Sequence, residues 1–182
     1  MNIDDTRHIQ AAQGWIGLGL YDEAADELGN VTEPAKTHPE FLEVCGRIYA
    51  KFNRWTECWN IAKAILAADP DNAMGHIQLA YAIEHLKGAR EAYDYLRPVA
   101  DKITDSITIF YSLACFNCKL GLLDEAREWL EISFEMSEAE DSEYGSFYRN
   151  FAREDPDLEP LWREISGIGR RNSGENRRAV LW

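Results

Sequence analysis

Gly17–Leu28 reads GLGLYDEAADEL, and the phrase returns, altered but in register, as KFNRWTECWNIA at Lys51–Ala62, HLKGAREAYDYL at His85–Leu96 and KLGLLDEAREWL at Lys119–Leu130. Each start lies 34 residues after the last. Working outward, the chain divides without gaps into four units, 5–38, 39–72, 73–106 and 107–140. The eighth position of each unit holds Ala12, Gly46, Ala80 or Ala114, and the twentieth holds Ala24, Cys58, Ala92 or Ala126. All are small, which lets paired helices approach closely. The fourteenth position holds Leu18, Phe52, Leu86 or Leu120, and the twenty-fourth Leu28, Ala62, Leu96 or Leu130. A fixed period of this size marks a solenoid, whose units bury their apolar faces only against neighbours.

Each unit predicts two helices, because apolar residues recur at three- and four-residue steps. In the third unit His76, Leu79, Ala80 and Ile83 form one stripe, and Ala92, Leu96 and Val99 form the second. Gly19, Gly88 and Gly121 fall where the chain must turn between helices. Ala67–Asn72 (AADPDN) closes one unit and offers a capping side chain to the next. Ile107-Thr108-Ile109 has strand propensity, yet Leu113, Ala114 and Asn117 continue a helical period, so the segment is read as helix.

The pattern resembles the tetratricopeptide repeat, with small residues at positions eight and twenty, a large apolar residue near seventeen and Pro near thirty-two. Position seventeen is Tyr21, Trp55, Ala89 and Leu123. The second unit is the best copy, with Gly46, Tyr49, Trp55, Cys58, Ala62, Ile65 and Pro70 in register. The departures are His8, Leu42, His76 and Phe110 where Trp is typical, and Lys36, Thr104 and Glu138 where Pro70 has its equivalents. The resemblance covers residues 5–140 and implies an all-α fold, an α-solenoid of helix-turn-helix repeats forming a right-handed superhelix.

Beyond the fourth unit a solenoid needs a polar end cap. Glu143–Glu154 predicts an amphipathic helix with Tyr144, Phe147, Tyr148 and Phe151 on one side. Asp155-Pro156-Asp157 breaks it, and Leu158–Ile165 predicts a short second helix. The pair is similar to the closing segment of many bacterial repeat proteins, through Asp155, Asp157, Leu158, Pro160 and Leu161. The expected organisation is one helical-repeat domain over 1–165, with capping helices at 141–165, then a flexible joint at Ser166–Gly169 within a basic tail, 166–182.

Composition narrows the function. At 46% hydrophobic and 12% aromatic the chain can build a core, so disorder is excluded. No apolar run approaches the ~18 residues that span a membrane, and Met1–Asp5 lacks the basic start of a signal peptide. Four Cys without such a signal read as reduced thiols of a cytoplasmic protein. The net charge is −13, and the tail from Ser166 carries four Arg and one Glu, which leaves −16 on the body. Such a body repels phosphate backbones and anionic lipid, which argues against nucleic acid or membrane as partner.

Chemistry is sparse. Cys115-Phe116-Asn117-Cys118 forms a CxxC, but it lies mid-helix rather than at a helix N-terminus, and two thiols fall short of a structural zinc site. Inert packing is the preferred reading, with a thiol or metal role, His85 nearby, as the alternative. His8 and His76 share one repeat position and read as packing residues. No Ser, His and acid set has spacing that suggests a nucleophile, and no Gly-rich loop could cradle a phosphate. The chain is therefore read as a non-enzyme needing no cofactor.

The resemblance also implies a surface. The family binds peptides in a concave groove lined by the first helix of each repeat. Its lining positions are Ile9, Gln13, Glu43, Arg47, Lys51, Met74, Ile77, Tyr81, Glu84, His85, Tyr111 and Lys119 here. The family's carboxylate clamp would need Lys, Asn and Arg where Ile9, Gln13, Val44, Met74 and Gln78 stand, so that clamp is absent. The expected function is an interaction module, a scaffold, adaptor or chaperone-like protein, with a peptide or partner protein in the groove. The alternative is a structural protein that self-associates through its C-terminal cap or tail.

Overall fold

The structure, a computed structural model, describes residues 1–140 and 142–168. Regular structure among them is helical throughout. The helices are α1 (Ile3–Gly17), α2 (Tyr21–Gly29), α3 (Pro39–Lys51), α4 (Trp55–Ala68), α5 (Ala73–Lys87), α6 (Ala89–Ala100), α7 (Ile107–Lys119), α8 (Leu123–Glu140) and α9 (Ser142–Ala152). Short 3-10 turns cover Glu33–Thr37 and Pro156–Leu161. The predicted two helices per unit are present in all four units, and Ile107 opens a helix, as the helical period required.

The ends of the helices follow local chemistry. Asn2 accepts from the Asp5 N–H at 2.8 Å, and Asp5 returns a contact to the Asn2 N–H, a reciprocal cap that satisfies two orphan donors. Asn72 caps α5 through a 2.7 Å bond from the Gly75 N–H. The turns inside the repeats need a left-handed residue, supplied by Gly19 (φ 77°) and Gly121 (φ 75°). At the equivalent position repeat two uses Asn53 (φ 56°), the side chain that tolerates this region best.

The chain divides into two compact units, Met1–Val99 and Ala100–Trp182. In the first, α1 packs on α2, α3 on α4, and α4 on α5. One core cluster there joins Ile9, Ala12, Ile16, Ala24, Leu28, Val31, Ala35, Phe41, Val44 and Ile48. Asp5 ties the start of α1 to the loop after α2, accepting from the Thr32 N–H at 2.8 Å and its hydroxyl at 3.0 Å. These bonds, the backbone one foremost, hold its carboxyl below the usual carboxylate range.

The small residues at positions eight and twenty are buried in every repeat. Position fourteen is not core. Leu18, Phe52 and Leu86 are exposed, and Leu18, Phe52 and Leu120 are the residues that cap the first helix of their repeats.

In the second unit, α7 packs on α8 and α8 on α9, and the chain then folds back so that Pro156–Leu161 lies on α7. The predicted second capping helix over Leu158–Ile165 is instead this 3-10 turn followed by further turns. Pro160 has no N–H to continue an α-helical ladder, and the Trp162 indole N–H is turned back to the Asp155 carbonyl at 3.0 Å. Leu158, Leu161 and Ile165 are fully buried, each worth roughly 1.5–3 kcal/mol.

The expected flexible joint also differs, since Ile168 is a core residue. Arg149 of α9 reaches inward, donates to the Ile168 carbonyl at 2.8 Å, pairs with Glu138 at 2.6 Å and stacks over the Phe134 ring. A buried guanidinium is tolerated when its donors are met in this way. The remainder of the expected tail, Gly169–Trp182, lies outside the described residues.

Candidate functional site

The site is built in the first unit from the best-formed repeat and the one after it. There, α3 contributes Gly46, Arg47 and Ala50, α4 contributes Trp55 and Cys58, and α5 contributes Ile77, Gln78 and Tyr81. Together they line an open hollow of about 210 Å³. A Cβ at Gly46 would overlap the Gln78 carboxamide, so glycine lets that side chain lie close against α3. That carboxamide is held in place by donating to the Glu43 carbonyl at 2.9 Å. Trp55 of its lining is stacked on His85, the two rings 3.6 Å apart and 6° from parallel.

Charge gathers at the mouth. Arg47 and Lys51 project from α3 one turn apart, and both are exposed. Among the described residues neither has a carboxylate partner; Lys51 lies 5.1 Å from the Tyr21 ring centroid. Arg54, by contrast, is satisfied by Glu57. Glu43, one turn before Arg47, accepts from Asn72, and burial holds its carboxyl above the usual range.

Of the twelve residues expected to line a groove, the structure gathers Arg47, Ile77 and Tyr81 around this hollow; His85 stacks on Trp55 of its lining, the Glu43 carbonyl holds Gln78 of its lining, and Lys51 follows Arg47 by one turn of α3. Gln13 and Met74 are exposed, and Glu84 is half-buried. Ile9 does not line a surface; only 1% exposed, it belongs to the core between α1 and α3.

Tyr111 and Lys119 also differ from the expectation. Tyr111 is 4% exposed and donates its hydroxyl to Asp155 Oδ2 at 2.8 Å. The Lys119 ammonium pairs with Asp157 Oδ2 at 2.8 Å. In the fourth repeat the chain's own fold-back covers the face that was expected to receive a partner.

Trp55, Gln78, Gly46, Ala50 and Cys58 line the hollow without belonging to the expected groove positions. The signal for them is present in part. Repeat two alone carries both the small residue at eight and Trp at seventeen, and the first helix of repeat three faces them.

The CxxC is closed off. Cys115 is fully buried and Cys118 nearly so. Burial pushes the Cys115 thiol well up and the Cys118 thiol to about 11, so neither forms a thiolate near neutral pH. His85, the neighbour expected for them, is stacked on Trp55. His8 and His76 pack as expected, His8 against Glu27 at 2.7 Å and His76 against Tyr95 at 2.7 Å. No group of three metal-ligating side chains occurs among the described residues, and no described helix is long and apolar enough to cross a membrane.

Among solved structures, TTC0263, a thermophilic TPR protein of Thermus thermophilus, matches with a TM-score of 0.67 at 16% identity, over 89% of this chain and 98% of its own. The chain has the tetratricopeptide-repeat fold. MamA from Desulfovibrio magneticus RS-1 (residues 41 to the end) shares this fold, with a TM-score of 0.57 at 15% identity, over 95% of this chain and 99% of its own. No family model matches the sequence, and no curated protein matches it. At these identities the likeness is one of fold, and the tetratricopeptide-repeat architecture is what positions α3 and α5 side by side at the hollow.

Proposed function

We propose that this chain is a non-enzymatic interaction module that holds a segment of a partner protein against α3 and α5. The observation that carries the reading is the apolar hollow under Trp55, Ile77 and Tyr81, with Arg47, unpaired among the described residues, at its mouth. Interface anchors are most often Trp, Tyr and Arg in a pocket that excludes water, and helical solenoids bind through surfaces to which several repeats contribute.

The test is affinity capture with the intact chain beside Tyr81→Ala and Arg47→Glu. Both sites are partly or wholly exposed, so both variants should keep the wild-type melting temperature. A partner retained by wild type and by Glu23→Lys, on the opposite helix α2, but lost by both hollow variants supports the reading. A partner held equally by all four removes it.

A second reading has one observation in its favour. Phe147 and Phe151 of α9 are 60% and 50% exposed and stacked 6.2 Å apart. An exposed aromatic pair at the closing helix suits self-association. Mass measured across a dilution series decides it, since self-association through α9 would be lost in Phe147→Ser with Phe151→Ser.

A further inference from the structure

The second unit holds an example of what a first helix of this chain accepts. Asp155–Leu161 lies along α7 with Leu158 and Leu161 fully buried. Tyr111 donates to Asp155 and Lys119 pairs with Asp157, each at 2.8 Å. The seated segment is acidic and leucine-bearing. The groups that hold its carboxylates stand at the fifth and thirteenth positions of their repeat.

Repeat equivalence carries part of that chemistry to the first unit, since the fifth position, Tyr111 in repeat four, is Glu43 in repeat two. Lys51 stands at the thirteenth position of repeat two, as Lys119 does in repeat four. Arg47 stands at the ninth, where repeat four has Cys115, whose Sγ lies 3.9 Å from the Asp155 carboxylate. Gly46, Arg47, Ala50 and Cys58 of the hollow correspond to Ala114, Cys115, Cys118 and Ala126. Those four share one core cluster with Leu158, Leu161, Ile165 and Ile168. The same repeat positions therefore line an open hollow in repeat two and receive the chain's own segment in repeat four. Arginine in place of cysteine at the ninth position adds a second cation one turn from Lys51 on α3, and a guanidinium suits a planar carboxylate.

Resting on the reading of the hollow as a partner site, we infer that it takes an extended acidic segment of a partner protein. An Asp or Glu of that segment is held by Arg47 and Lys51. A Leu, Ile or Phe within a few residues of it is seated among Trp55, Ile77 and Tyr81. At about 210 Å³ the hollow exceeds the roughly 150 Å³ that accepts a benzene-sized group. The acidity of the wider body is no obstacle, and the nearby Glu43 accepts from Asn72 with its carboxyl held above the usual range by burial. Charges beyond ~8 Å are screened at physiological salt, whereas the two cations act at contact. The acidic fold-back on α7 already sits on the same body.

Panning a library of random short peptides on the full chain, with Arg47→Glu, Lys51→Glu and Tyr81→Ala beside it, tests the inference. The expected winners carry Asp or Glu close to Leu, Ile or Phe. A synthesised winner should bind about tenfold or more weakly to Arg47→Glu, as loss of a charge-assisted bond implies, and should lose affinity in Lys51→Glu as well. Winners that need Tyr81 yet are neutral or basic, and ignore Arg47→Glu, overturn the acidic-segment inference while leaving the hollow as a partner site. If no winner depends on Tyr81, both fall.

Discussion

Replacing Leu158 with alanine probes the fold-back that decides which repeat faces are open. The side chain is fully buried in the cluster that holds Tyr111, Cys115, Leu161 and Ile165, and α7 and α8 frame it. Fully buried Leu→Ala changes cost about 2–5 kcal/mol, the spread reflecting how far the site collapses. Here collapse is limited on one side by α7, whose residues from Ile107 to Cys118 are nearly all buried. On the other side the segment is pinned by the Tyr111–Asp155, Lys119–Asp157 and Arg127–Glu164 contacts. A loss of about 3 kcal/mol is expected. For a unit of this size each kcal/mol moves the melting temperature by about 4–8 °C, so a fall of roughly 12–24 °C should follow. Urea denaturation followed by circular dichroism gives the free energy, and Leu158→Met, close in volume, should cost under about 1.5 kcal/mol. A Leu158→Ala protein within about 0.5 kcal/mol of wild type, the range of a surface change, would mean that the segment does not pack on α7, and Tyr111 and Lys119 would return to the open face.

Further expectations follow from single contacts. Gly46→Ala should destabilise by about 1–3 kcal/mol in denaturant titration, because the new Cβ displaces Gln78 and breaks its bond to the Glu43 carbonyl; a neutral result would show that Gln78 yields freely. Ala80→Trp overpacks a fully buried position and should cost at least as much by the same assay. Asp5, with its carboxyl held below the usual range, adds stability that is complete above its unfolded pKa near ~3.9 and is lost as pH falls through the folded value. The gap between wild type and Asp5→Asn should therefore narrow in acid, and a gap that widened there would contradict the Thr32 contact. Cys115 and Cys118 should resist iodoacetamide in the folded protein near pH ~8 and react on unfolding, as read by mass spectrometry; fast native labelling would show an open site.

The parts legible in the sequence were those written in local period. Small residues at eight and twenty placed Ala12, Ala24, Ala80, Ala92, Ala114 and Ala126 in contact, and all are fully buried. Gly19, Gly121 and Asn72 marked turns and a cap correctly because their chemistry acts within a few residues. The fold-back was not legible, since Tyr111 meets Asp155 across 44 residues and the match is one of side-chain shape and charge rather than period. Asp155-Pro156-Asp157 marked a break, but the apolar spacing of Leu158, Leu161 and Ile165 was read as a helix where Pro160 sits in a 3-10 turn. Register in repeats two and three brought Arg47, Ile77 and Tyr81 to one hollow. It misled at Ile9, whose neighbour α3 covers it, and at Tyr111. Position fourteen shows the converse, an apolar repeat position that caps helices at the surface instead of filling the core.

The most direct test of the account is a hydrogen-exchange footprint of a bound partner or selected peptide on the full chain. Slowed exchange on α3, α5 and the start of α4, around Arg47, Lys51, Trp55, Ile77 and Tyr81, is the predicted result. A footprint on α9 around Phe147 and Phe151, or on α2 and α4, with α3 and α5 unchanged, would contradict it.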